Sequence, residues 1–498
     1  MEKEVKEIVI KQNTGIVFPK GEENGDILIL GNFNGICGEV KWEGVDNSTF
    51  DTDNFLKYRE TFETNIGVIL NTLRAGNRIV IAASKETIDY FQKLLYTIAD
   101  WFMSDMSGKA RKKMFNRQVW TIDTTELYER TYVKYESNSE YRKELAKKAI
   151  DDIVTNKIFE KIQHMKFDYI IQNPPYNGSL HLDFLEKGLD LLTEKGRMVI
   201  IEPATWLINV RKNGKAKKYD AIKKRIEGHV ESVVIENRNA DFGTSTHVPF
   251  ATTVIDMSKT YSKIEFNCCG EKKMVKSIYD CNLVGEHSLV WDILSKVQNH
   301  GDMMKDHIWD GKATNGSYLT FMDICASPSN KNASSNATPE SATWFTTTKE
   351  GDFFISYIGV QYHPKYEVTE TPQHSFKACG NSAANKNYSD KYSNQLFGTR
   401  EELENWRYNV TNLKIMLFVS IALIIDQNNT IKDFLPFLTK KKYTDEEINK
   451  LFGFTDEEIA LIDRTIKKYE RNSPWFKRYM CGPDSVSDEE VNNFINSL

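Results

Sequence analysis

Asn173-Pro174-Pro175-Tyr176 closes the apolar run Phe167-Asp168-Tyr169-Ile170-Ile171-Gln172, and these residue types at the end of a strand suit chemistry on an exocyclic amine. An aromatic amine such as adenine N6 is a poor nucleophile because its lone pair is delocalised into the ring. Two acceptors correct this. The Asn173 side-chain oxygen and the Pro174 carbonyl can each accept one amine hydrogen, drawing the nitrogen toward a tetrahedral geometry in which its lone pair attacks a sulfonium methyl. Successive prolines fix φ and lack backbone donors, so Pro174 and Pro175 make a stiff corner that presents carbonyl oxygens. Tyr176 adds a ring on which an extruded base can stack. The bland alternative is an ordinary strand-ending proline turn.

The segment from Phe167 to Lys259 resembles the catalytic half of gamma-class adenine-N6 DNA methyltransferases of type II restriction-modification systems and large phages. After Asn-Pro-Pro-Tyr comes a helical stretch, Leu180 to Leu189, then Gly196-Arg197-Met198-Val199-Ile200-Ile201-Glu202-Pro203, similar to the family's next strand and its closing proline. Val230 to Glu236, Asp241-Phe242 and Val248 to Asp256 resemble the late strands and the element that closes over the target base. The resemblance implies S-adenosylmethionine as cofactor, double-stranded DNA as substrate, and Phe242 as a ring packed against the base. Phe242 reads equally well as core.

Upstream, such a fold needs a first strand ending in a glycine-rich turn. The best-placed candidate is Arg78-Ile79-Val80-Ile81-Ala82-Ala83-Ser84, with Ala82 and Ala83 standing where the family carries glycines. Asp123, ending Val119-Trp120-Thr121-Ile122, takes the place of the acid that holds the cofactor ribose. The glycines Gly31, Gly35 and Gly38 also follow a strand, Ile27 to Leu30, but Glu39-Val40-Lys41-Trp42 comes next where a helix belongs.

That cluster supports a competing idea. Asp26, Glu39 and Lys41 reproduce the D…ExK spacing of PD-(D/E)xK nucleases, in which two acids hold a divalent ion, here Mg2+, and the lysine positions water. A helix over Asn54 to Leu73, the strand at Ile79 and a helix from Lys85 fit that order too. Both readings claim the strand at Ile79. If it lies beside Val119 to Asp123 in a parallel sheet, the methyltransferase core is whole; if it pairs with Glu39 to Trp42, the nuclease gains.

Net charge is −5, so DNA binding must rest on local patches. Arg211, Lys212, Lys215, Lys217 and Lys218, followed by Lys223, Lys224 and Arg225, form one beside the motif, suited to phosphates flanking the target nucleotide. A solvated loop is the alternative.

A chain of 498 residues with 40% hydrophobic content and no signal-like start is expected to be soluble, cytoplasmic and of several domains. The run Leu413 to Ile425 is too short to span a bilayer, so no membrane partner is expected. Seven cysteines without paired CxxC spacing give no zinc site or disulfide framework. The expected fold class is α/β, with a Rossmann-like methyltransferase core at 111–262 and a small α/β region, the possible nuclease, at 1–110. Target recognition is expected at 263–400 and a helical C-terminal region at 401–498. The leading expectation is adenine-N6 methylation; the alternatives are a restriction nuclease using the methyltransferase fold for recognition, and a silent DNA-binding relative.

Overall fold

The computed structural model describes residues 25–31, 71–103, 105–132, 140–176, 180–208, 216–239, 249–307, 317–320, 323–324, 361–362, 367–369, 395–423, 431–470 and 472–498. Its centre is one nine-stranded sheet in the order β3-β2-β1-β4-β5-β7-β6-β8-β9. The strands are β1 (Ile27–Gly31), β2 (Ile79–Ala83), β3 (Val119–Asp123), β4 (Phe167–Asn173), β5 (Leu192–Pro203), β6 (Val230–Glu236), β7 (Phe250–Asp256), β8 (Ile264–Cys268) and β9 (Glu271–Val275). From β3 to β5 every neighbouring pair is parallel, while β7 runs antiparallel to both β5 and β6. This is an α/β doubly wound sheet whose strand order reverses between β1 and β4.

Sequence explains the layers. Parallel strands covered on both faces read as continuous apolar runs, as ILIL in β1, IVIAA in β2 and YII within β4 do. Successive side chains alternate between faces. Ile27, Ile29, Ile79, Ile81, Tyr169 and Ile171 share one core with Phe91 and Leu95 of the helix Lys85–Phe102. Leu28, Leu30, Val80, Ile170, Met198 and Ile200 share the other with Ile150, Val154 and Ile158 of the helix Glu140–Ile162. Each fully buried aliphatic side chain contributes roughly 1.5–3 kcal/mol, so these two layers fix the strand ends that carry the site. β3 lies at the sheet margin, with Trp120 and Thr121 exposed.

The strand at Ile79 pairs in parallel with β3 on one side and β1 on the other. The sheet therefore runs through the expected boundary at 110/111, and β8 and β9, inside the stretch expected for target recognition, extend it further. The helix expected from Asn54 is described only from residue 71; the strands expected at 343–347 and 353–360 lie outside the described residues. The helix Lys414–Ala422 is buried, as its composition implies, and among the described residues no helix is long and apolar enough to cross a membrane.

The C-terminal helices pack on the far end of this sheet. Trp475 Nε1 donates to the Cys268 carbonyl at 3.0 Å, Asn492 Nδ2 to that of Gly270 at 2.8 Å, and Lys468 pairs with Glu271 at 2.5 Å. The two Thr-Asp-Glu-Glu groups form capping boxes: Thr444 with Glu447 opens Asp445–Phe452, and Thr455 with Glu458 opens Asp456–Lys468.

Candidate active site

Gly31 and Asn173 are register partners at the carboxyl ends of β1 and β4, where the strand order reverses. Open α/β sheets bind ligands in the crevice outside this point. Gly31 has φ +111°, and a Cβ built on it falls 1.9 Å from the Asn173 carbonyl oxygen. Only glycine lets the two backbones approach so closely. Ala83 on β2 pairs with Asp123 on the adjacent β3, two strands out from Gly31, so the ends of β1 to β4 share one edge of the sheet.

These positions correct the expectation about the cofactor strand. The strand at the switch point is β1, ending in Gly31, while Ala82 and Ala83 stand on β2, one strand out, both fully buried. The sequence hid this because no recognisable helix follows Gly31. Asp123 ends β3, and its Oδ1 accepts from the amides of Thr125 (2.9 Å) and Glu126 (3.3 Å), capping the helix Thr124–Tyr132. That leaves only Oδ2 for a ligand. The end of β2, where a ribose-binding acid belongs in this topology, carries Ala83 and Ser84 instead, and the Ser84 hydroxyl caps the helix Lys85–Phe102 by accepting from Thr87 N. A ligand seated against the bare backbone at Gly31 would therefore meet its nearest strand-end acid, Asp123, on β3, one strand further out than the end of β2.

At the corner itself Asn173 is 3% exposed and Pro174 is buried. The Tyr176 hydroxyl donates to Asn173 Oδ1, and its ring lies 5.0 Å from that of Phe250, tilted by 59°. Burial above all, then the nearby Glu202, raise the Tyr176 pKa, while Arg238 and the bond to Asn173 oppose the rise. Tyr176 is therefore a neutral donor at ordinary pH. Glu202, at the end of β5, is fully buried, which pushes its carboxyl well above the usual carboxylate range. The Trp206 indole counters this in part, yet neither its Nε1 nor either Glu202 oxygen reaches hydrogen-bond geometry with a described residue. Sequence reasoning passed over Gly31 as a site residue, Glu202 and Phe250. Glu202 had a signal, a carboxylate continuing the apolar run Met198 to Ile201.

The remaining candidates divide. Phe242, Arg211, Lys212 and Lys215 lie outside the described residues, and Lys217 is described only as part of the helix Ala216–Ile226. Lys218 does not stand free for phosphate: it pairs with Asp183 and with Glu186, the latter at 3.3 Å. Lys224 pairs with Asp220, and Arg225 with Asp190, both at 2.7 Å. Lys223 is buried, its Nζ donating to the Leu207 carbonyl at 2.9 Å, and burial lowers its pKa to about 8. Acids of this helix and of the helix Leu180–Leu191 thus neutralise Lys218, Lys224 and Arg225.

Of the nuclease constellation, Asp26 alone falls among the described residues. It stands at the amino end of β1, opposite Gly31, where its carboxylate accepts from Arg78 N at 2.7 Å and Nε at 3.0 Å and pairs with the guanidinium. Both oxygens are engaged by Arg78 in holding β1 to β2. Glu39 and Lys41 lie outside the described residues, and among the described residues no group of three or more His, Cys, Asp or Glu side chains forms a metal site.

No protein-family model and no curated protein matches the chain. Among solved structures it is similar to a type I restriction-modification methyltransferase subunit from Streptococcus thermophilus, at 12% identity and a TM-score of 0.24, over 54% of this chain and 46% of that one. It is also similar to a Listeria monocytogenes protein described as a class I S-adenosylmethionine-dependent methyltransferase, at 12% identity and a TM-score of 0.24, over 52% of this chain and 60% of that one. A third is TrmN from Thermus thermophilus, at 11% identity and a TM-score of 0.20, over 47% and 45% of the two chains. The chain spans about half the length of these proteins, and similarity this slight carries nothing about chemistry.

Proposed function

We propose that this protein methylates adenine N6 in double-stranded DNA, drawing the methyl group from S-adenosylmethionine, in a restriction-modification or phage self-protection system. The observation that supports the reading is the placing of Asn173 and Pro174 at the end of β4, directly across from Gly31 at the switch point. One strand end there offers two acceptors and the next offers bare backbone for a cofactor. S-adenosylmethionine, when bound, supplies an electrophilic sulfonium methyl.

This chain's own part is to make the amine nucleophilic and hold it in line. Asn173 Oδ1 and the Pro174 carbonyl each accept a hydrogen bond from one N6 hydrogen, and both acceptors are set in place at the stiff strand end before the base arrives, so little reorganisation accompanies the reaction. Tyr176 stacks on the extruded adenine, and Phe242 packs against it. Asp123 holds the cofactor ribose through Oδ2. Phosphate contacts fall to Arg211, Lys212, Lys215 and Lys217, and base-edge readout to residues within 263–400.

Purified protein incubated with labelled S-adenosylmethionine and adenine-unmethylated phage DNA tests the reading. Label is expected on N6-methyladenine after nuclease digestion, and Asn173→Ala is expected to abolish it. Label on another base, on protein or on RNA alone overturns the reading.

A further inference from the structure

Lys218, Lys224 and Arg225 are neutralised by acids, but the helix Gly108–Gln118 carries a basic run that is not. Lys109, Lys112, Lys113 and Arg117 recur at helical spacing and so share one stripe with Asn116, and all five are exposed. The other side holds the helix to the body: Met114 and Phe115 pack into the core, and Gln118 Nε2 donates to the carbonyls of Leu73 (3.0 Å) and Asn77 (2.9 Å). The helix contains no acid. Among the described residues, only its Arg111, off the stripe, forms an ion pair, with Asp100 at 2.6 Å.

Folding alone does not favour this arrangement. Lys109 with Lys112, Lys109 with Lys113, and Lys113 with Arg117 are like charges three or four residues apart, which destabilise a helix, and Lys109 in the first turn opposes the helix dipole. Elsewhere the chain sets an acid opposite such a lysine, as with Lys85 and Asp89 or Lys224 and Asp220.

We infer that this stripe is a phosphate-contact surface for double-stranded DNA, holding a stretch of duplex other than the one that delivers the target base. The choice of polyanion rests on the DNA-methylation reading given above. From Lys109 to Arg117 the helix rises about 12 Å, a length along which each DNA strand presents about three phosphates, so the stripe matches the charge a duplex offers. A chain of net charge −5 gains no general attraction for DNA, which leaves binding to uncompensated patches such as this one. The helix feeds the amino end of β3, across the sheet from Gly31 and Asn173 at the carboxyl ends of β1 and β4. Contacts there secure the duplex without reading its sequence.

Fluorescence anisotropy of a labelled duplex several helical turns long, titrated without cofactor at a series of salt concentrations, tests the inference. In Lys109→Gln/Lys112→Gln/Lys113→Gln the slope of log K against log salt is expected to flatten by about 2.7, or about 0.9 for each lost phosphate contact. Its urea midpoint is expected to equal or exceed the wild-type value, since like charges are removed and Gln is a good helix former. Lys224→Gln/Lys414→Gln/Lys441→Gln removes three lysines already paired with acids and is expected to keep the wild-type slope. In methylation assays the stripe variant is expected to raise KM for DNA and leave kcat unchanged; a lowered kcat at saturating DNA overturns the separation from the base corner.

An unflattened slope in the stripe variant, equal flattening in the paired-lysine variant, or a wild-type protein that binds no duplex overturns the inference. Flattening in a protein that methylates no DNA defeats the functional reading alone, whereas methylation with an unflattened slope defeats the stripe alone.

Discussion

Replacing Gly31 by alanine tests whether the approach of β1 to β4 sets the site. The added Cβ lies 1.9 Å from the Asn173 carbonyl oxygen and 2.6 Å from its carbon, both backbone atoms that cannot rotate away. Forcing a non-glycine residue to φ +111° costs about 1–3 kcal/mol, and overpacking a well-filled contact about 1–3 kcal/mol more. The expected destabilisation in urea unfolding is therefore about 2–6 kcal/mol. Gly76 supplies the control, with φ +83° and no atom within 4 Å of a Cβ added there; Gly76→Ala should cost about 1–2 kcal/mol from backbone strain alone. Protein that remains folded should lose methyl transfer by about 100-fold, because Asn173 is pushed out of place by a fraction of an ångström or more. Equal unfolding free energies for the two variants, within about 0.5 kcal/mol, would refute the reasoning.

Asn173→Ala should lower stability by about 0.5–1.5 kcal/mol for each side-chain hydrogen bond it removes, while methyl transfer to DNA falls below detection; retained transfer places the chemistry elsewhere. Glu202 makes stability depend on pH. Its folded pKa is raised above the unfolded value of 4.5, so the folded state holds a proton that the unfolded chain releases. Stability should be greatest below that unfolded value and fall as pH rises toward the folded pKa, by about 1.4 kcal/mol per pH unit for one proton. Glu202→Gln should flatten this decline in unfolding curves taken between about pH 5 and pH 8, and parallel curves for the two proteins would remove Glu202 as its source. Asp26→Asn should lower stability by about 1–2 kcal/mol, a charge-assisted bond discounted for the partial exposure of Arg78. Mg2+ should leave the wild-type melting temperature unchanged, and a rise on adding Mg2+ would restore the metal-site reading.

Much of the site was legible because parallel strands announce themselves. β2 and β4 are apolar runs of strand length, and the polar corner closing β4 could be placed at a strand end from its sequence alone. β1 carries the same signal in ILIL, but its function was obscured by what flanks it. A D…ExK spacing says nothing about which end of a strand an acid occupies, and Asp26 sits at the amino end, where Arg78 neutralises it. The basic stretch misled for a related reason. Sequence counts charges on one segment, whereas Asp183, Glu186 and Asp190, which pair with Lys218 and Arg225, come from a helix some 35 positions earlier. Asp123 was correctly seen to end a strand, but its distance from the switch point depends on a strand order that no local pattern reveals.

The C-terminal helices bear on the site through the end of β6. Arg478, 7% exposed, bridges Glu236 on β6 to Asp488, and Asn237 Nδ2 donates to the carbonyls of Tyr479 (3.2 Å) and Met480 (2.8 Å). Gly482 comes close enough that an added Cβ would meet the Asn237 carbonyl oxygen at 3.0 Å. A buried, hydrogen-bonded arginine leaves an uncompensated charge when either partner is lost, so this junction locks the helices against the strand. From here the chain departs into the segment containing Phe242 and returns at β7 with Phe250, the ring on which Tyr176 rests. The C-terminal helices therefore anchor the chain at Glu236 and Asn237, where it leaves β6 toward that segment.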